Sequence, residues 1–124
     1  MSSFRHTMRI HIGTVPSETE WRAGFGTPLG PQLARYTDDP SEVAAMTATY
    51  RAHNREHHDR LVTPYRGVRE VVAQLATRGA RLGIVTSKSR VATSHGLRHC
   101  GLDRFFDVLV TADDTTEHKP QPAP

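Results

Sequence analysis

The feature that most constrains the fold is a change of hydrophobic period near residue 80. Arg81–Thr86 (RLGIVT) and Phe106–Thr111 (FDVLVT) are short apolar runs, with a helical pattern over Ser89–His99 between them. Runs of this length fit buried parallel strands. Strand, helix and strand in succession form one βαβ unit, which crosses over right-handed. A lead-in helix is expected over Val68–Arg78, with Gly79 where a C′ glycine belongs, after a turn at Thr63–Gly67.

The chain ahead of this unit reads as helices. Phe4, Met8 and Ile12 recur four apart and predict a short amphipathic helix. Ser17 and Glu20 have the spacing of a capping box, opening a helix through about Ala23. Gly24–Pro31 (GFGTPLGP) is a loop by its glycines and prolines, with helix expected again over Leu29–Tyr36. Asp39-Pro40-Ser41-Glu42 supplies an N-cap, a proline at N1 and a glutamate at N3. That helix should run from Pro40 to about His57, with Val43, Met46, Tyr50 and His53 on one face. The fold class is therefore α/β: a helical front over residues 1–61 and an α/β back with one βαβ unit over 62–124.

Composition narrows the function. Among 124 residues, 16 Lys+Arg against 13 Asp+Glu leave +3, too little to argue for nucleic acid or a membrane surface. No apolar run approaches the roughly 18–20 residues of a membrane span, and the first residues hold no apolar signal core, so the cytoplasm is the expected location. Cys100 is the single cysteine, which excludes an internal disulfide and a thiolate zinc knuckle.

The chemistry-bearing residues lie after the two strands. Thr86 and Ser87 stand at the carboxyl end of the first, where hydroxyls and helix amides can hold an anion. The pair could instead simply cap the following helix. Lys119 follows the second strand and could offset the charge of the same anion. Taken together, LGIVTSKS (Leu82–Ser89) and VTADDTTEHKPQPAP (Val110–Pro124) resemble the second and third motifs of the haloacid dehalogenase-like hydrolases, nearest to their phosphoglycolate phosphatase and pyrophosphatase branch. Thr63–Leu75 and Gly101–Asp114 sit where that branch has its lead-in helix and inter-strand link, residues 1–61 resemble its helical cap, and residues 62–124 resemble part of its Rossmann-like core. The resemblance implies Thr86 and Lys119 as catalytic residues, and Thr86, Ser87 and Lys119 as the phosphate-binding set. It implies Gly26 and Thr27 in the cap loop as substrate-facing, a small phosphorylated substrate, and Mg²⁺ as the cofactor of an intact member.

The sequence departs from the family at the chemistry. Members open with a DxD-type motif whose first aspartate attacks phosphorus, and a later acidic motif completes the magnesium site. No Asp-x-Asp occurs in these 124 residues; Asp38-Asp39 and Asp113-Asp114 are adjacent pairs in another context. The expectation is a piece of an enzyme, inactive alone and binding no metal by itself. The family's first strand would lie beside the strand ending at Thr86, so its absence leaves an uncovered sheet edge open to self-association. The rival reading is a non-catalytic module that binds phosphate or a partner.

Other patterns carry less. His53-Asn54-Arg55-Glu56-His57 matches the zinc-protease spacing H-x-x-E-H but lacks a third ligand, and reads as a solvated helix face. His95 and His99 repeat the four-residue spacing and read the same way. Cys100 reads as a small packed residue, and Trp21 and Phe25 as packing within the cap.

Overall fold

The computed structural model describes residues 1–119 and 121–124; Pro120, part of the third motif-like segment, lies outside them. The chain divides into two units, Met1–His57 and His58–Pro124. The first holds α1 (Ser2–His11), α2 (Glu18–Arg22), α3 (Leu29–Leu33) and most of α4 (Pro40–Leu61). The second holds the end of α4, then α5 (Val68–Thr77), β1 (Gly83–Val85), α6 (Arg90–His99), a 3₁₀ turn at Asp103–Phe105 and β2 (Val108–Val110).

The core of the first unit follows from the period of α1. Phe4 and Met8 sit one turn apart, and both are fully buried with Trp21, Leu33 and Met46. Phe4 stacks on Trp21 with ring centroids 4.1 Å apart. Ile12, Leu29, Tyr36, Val43 and Tyr50 close around this cluster. A polar pin accompanies it: His11 bonds Glu42 at 2.6 Å and Thr49 at 2.8 Å.

Local signals set the helix ends. In the capping box of α2, the Ser17 hydroxyl accepts the Glu20 N–H and the Glu20 carboxylate accepts the Ser17 N–H. Asp39 Oδ1 accepts the Ser41 N–H at 2.9 Å at the start of α4. Gly79 and Gly101 adopt φ of +82° and +64°, a region where a side chain would be strained. After α5, Ala80 N–H donates to Leu75 O and Gly79 N–H to Ala76 O; after α6, Leu102 pairs with Leu97 and Gly101 with Arg98. Both ends are Schellman motifs.

Three expectations need correction. Helix α4 continues to Leu61, four residues past His57, and ends before Pro64, whose ring disfavours helix in the residue ahead of it. Helix α3 stops at Leu33 rather than Tyr36. The strands are three residues each, and β1 is not buried: Val85 is 48% exposed and Val108 on the paired strand 49%. They pair in parallel, Gly83 with Val108, Ile84 with Leu109 and Val85 with Val110. Side chains alternate across the sheet, so one face carries Ile84 and Leu109 and the other leaves Val85 and Val108 uncovered. Val71 and Leu75 of α5 are likewise exposed. The result is a helical cap fold with a partial core of one βαβ unit. Among the described residues no helix is long and apolar enough to cross a membrane.

Candidate functional site

The carboxyl ends of β1 and β2 form one edge of the second unit. Thr86 is fixed there at both ends: its N–H donates to Val110 O at 2.9 Å, and its Oγ1 accepts the Lys88 N–H at 3.2 Å. Ser87 follows in the same turn. The loop after β2 is tied to it by Ala112 N–H donating to Lys88 O at 2.9 Å. Lys119 returns to this edge and its ammonium donates to Val85 O, the last carbonyl of β1, at 3.5 Å. Thr86, Ser87 and Lys119, 32 or more residues apart from strand to loop, therefore meet at one sheet edge. Gly26 and Thr27 belong to the first unit; Gly26 has φ of +96° and Thr27 is exposed.

The cap of α6 is neither Thr86 nor Ser87. Ser89 takes that position, its hydroxyl accepting the Ala92 N–H at 3.4 Å. The amide of Arg90 is also engaged, donating to Asp113 Oδ2 at 2.7 Å. A carboxylate of the chain thus occupies the first amide of the helix that sequence reasoning had offered to an anion. The Thr86 and Lys88 amides are engaged with Val110 O and Thr86 Oγ1, which leaves the Thr86 hydroxyl hydrogen as the donor this turn offers at the edge that Lys119 reaches.

Asp113 and Asp114 have structural partners. Both oxygens of Asp114 accept from the Arg90 guanidinium, at 2.6 and 2.7 Å, and Oδ2 also accepts the Thr111 N–H and hydroxyl. The Arg90 hydrogen bonds, then those of Thr111, hold the Asp114 carboxyl down at about 2. Its charged form is therefore favoured by the fold. The stabilisation is fully present above the ordinary value of 3.8 and is lost as pH falls through about 2. Asp114→Asn is expected to lower stability at neutral pH and to flatten the acid limb between pH 4 and 2. Urea midpoints of both proteins across that window check this; parallel acid limbs would contradict it.

Magnesium, implied by the resemblance, does not fit these residues. The ion takes hard oxygen ligands in near-octahedral geometry. Asp114 commits both oxygens to Arg90 and Thr111, and Asp113 gives Oδ2 to the Arg90 amide, so the pair offers no more than one oxygen outside these bonds.

The histidines arrange themselves differently from their sequence spacing. The rings of His53 and His57 meet edge to face at 4.2 Å, and with His6, Thr49 and Glu56 they line an open groove of the first unit. In the second unit His95 and His99 gather with His58 and Asp59. Sequence reasoning paired His95 with His99 but missed His58 and Asp59, because nothing local signals a contact 36 residues away. Trp21 is in the core, as expected, whereas Phe25, expected to pack within the cap as well, is 63% exposed. Cys100 is half-buried.

Comparison with known proteins agrees with this architecture. The chain is 44% identical over its full length to the pyrophosphatase PpaX of Halalkalibacterium halodurans and 39% identical to that of Bacillus mycoides, covering 57% of each. It spans little more than half the length of these curated relatives. Among solved structures it superposes on a Haemophilus somnus protein described as a predicted phosphoglycolate phosphatase, with a TM-score of 0.88 and 20% identity, over 99% of this chain and 59% of the other. A hydrolase of subfamily IA from Geobacter sulfurreducens matches at a TM-score of 0.62 and 23% identity, over 98% of this chain and 58% of the other. The family model for haloacid dehalogenase-like hydrolases matches residues 1–124. The chain belongs to the haloacid dehalogenase-like hydrolase family.

Proposed function

We propose that these 124 residues are the phosphate-holding part of a hydrolase acting on a phosphomonoester or pyrophosphate, with the attacking carboxylate supplied from outside them. The observation that carries this reading is the convergence of Thr86 and Lys119 on the end of β1. In this reading the Thr86 hydroxyl and Ser87 bond the phosphoryl oxygens, and the Lys119 ammonium offsets their charge. Gly26 and Thr27 of the cap loop face the rest of the substrate. The two relatives named pyrophosphatases, at 44% and 39% identity, favour a pyrophosphate-like substrate. The commitment of Asp113 and Asp114 to Arg90 supports placing both the nucleophile and any Mg²⁺ ligands elsewhere. A cytoplasmic location accompanies the reading, since a lone free cysteine suits a reducing compartment.

The test is a titration of the isotope-labelled chain with inorganic phosphate, read by amide chemical shifts. Saturable shifts at Thr86–Lys88 are expected, weakened about fivefold or more in Lys119→Ala, a loss of ~1 kcal/mol. Shifts scattered over the surface, or unchanged in the variant, would sink the assignment. The two-stranded sheet leaves strand edges unpaired among the described residues, which favours a second reading, a non-catalytic module whose copies pair along such an edge. Light scattering on the same samples decides it, because a monomer at every concentration excludes that pairing.

A further inference from the structure

The last turn of α4 and the middle of α6 bring a second set of ionisable groups together, all within the second unit. Three imidazole nitrogens surround one carboxylate oxygen. Asp59 Oδ1 lies 2.8 Å from His58 Nδ1, 2.7 Å from His95 Nε2 and 3.4 Å from His99 Nδ1. His95 and His99 are four apart and so project from one face of α6. His58 is only 6% exposed, and its ring packs edge to face on His95 at 4.5 Å and on His99 at 5.6 Å.

The protonation of His99 gives this arrangement chemical meaning. Its Nε2 lies 3.0 Å from Val62 O, and a carbonyl can only accept, so Nε2 carries the hydrogen. A neutral imidazole has one N–H, which leaves Nδ1, 3.4 Å from Asp59 Oδ1, as the nitrogen with a lone pair to offer. The Val62 carbonyl meanwhile orients the ring as outer partners orient metal-bound histidines.

The donor set identifies the class of ion. Imidazole nitrogens with a carboxylate suit zinc and related divalent transition metals, and do not suit Mg²⁺ or Ca²⁺. Tetrahedral bonds of about 2.0–2.1 Å place ligand atoms ~3.3 Å apart. One ligand atom each from His58, Asp59 and His95 already lie within 4.8 Å of one another, whereas His99 Nδ1, 3.4 Å from Asp59 Oδ1, lies outside that set and would have to rotate further to join it. We propose that His58, Asp59 and His95 bind a zinc-type divalent ion, with His99 as the fourth ligand. Four protein ligands leave no open position, which makes the ion a structural clamp between the end of α4 and α6. The site is independent of the phosphate edge, and its failure would leave that reading untouched.

Calorimetric titration of the metal-free 124-residue chain with Zn²⁺ tests the proposal. One ion per chain is expected, with a Kd near or below about 1 μM. The double variant His95→Gln/His99→Gln should weaken binding at least about 10-fold, whereas His53→Gln/His57→Gln should leave it unchanged. Loading the unsubstituted chain with Co²⁺ gives a readout that requires no variant to fold: the intense visible bands of a four-coordinate site are expected. Binding weaker than about 100 μM, equal loss in both double variants, or the pale spectrum of hexahydrated Co²⁺ would overturn it. In that case the cluster is a hydrogen-bonded histidine network around Asp59.

Discussion

Replacing Phe4 with alanine is expected to destabilise the helical unit by about 3–5 kcal/mol, the usual range for emptying a buried phenylalanine site. Phe4 is fully buried, stacks on Trp21 at an interplanar angle of 13° and meets Tyr36 at 5.9 Å. Its loss removes apolar burial and an aromatic pair together, and the neighbours come from α1, α2 and the end of α3, which cannot all move into one cavity. A domain this small holds only several kcal/mol in reserve, so the variant should be largely unfolded at 25 °C. Trp21 is the single tryptophan of the chain and reports this core directly. Denaturant curves followed by its fluorescence should lose their folded baseline in Phe4→Ala. They should keep it in Phe4→Leu, which retains most of the volume. A loss under about 1 kcal/mol in Phe4→Ala would show that the stacked pair is not the centre of the core.

Much of the fold was legible because its signals are local. The Ser17–Glu20 box, the Asp39 cap and the glycines at 79 and 101 specify helix ends with residues no more than six apart, and each closes as the spacing predicts. The end of α4 was not legible: residues 58–61 are mostly polar and continue the helix without an apolar stripe to mark it. The exposure of β1 was hidden for another reason. An apolar run such as RLGIVT reads as buried whether or not the layers that would cover it are present in the chain. At the candidate site, Thr86 and Lys119 were found by order and spacing. The Arg90–Asp114 link escaped notice because it depends on the return of the chain after β2, whereas the Ser89 cap is local and was passed over for Thr86 and Ser87. The same holds for Asp59, whose partners lie on another helix.

The second large effect concerns turnover. Phosphoryl transfer in this reading needs a nucleophile, and the carboxylates after β2 are poor candidates for the role. Asp114 is held by the Arg90 guanidinium and Thr111, and Asp113 accepts the first amide of α6. A carboxylate whose lone pairs accept strong hydrogen bonds, with its pKa held down at about 2, is a weakened nucleophile. Electrostatic stabilisation by Thr86 and Lys119 without an attacking group should bind phosphate and not transfer it. Asp113→Asn and Asp114→Asn should therefore leave the hydrolytic rate at background, although Asp114→Asn lowers stability.

The most direct measurement is release of inorganic phosphate from pyrophosphate and from an aryl phosphate by the purified 124-residue chain in Mg²⁺, beside Lys119→Ala. The account predicts identical, background rates for the two proteins, together with saturable phosphate-dependent shifts at Thr86–Lys88 that are weakened about fivefold or more in Lys119→Ala. Turnover that disappears in Lys119→Ala and in Asp113→Asn or Asp114→Asn would contradict it, placing a working nucleophile within these residues.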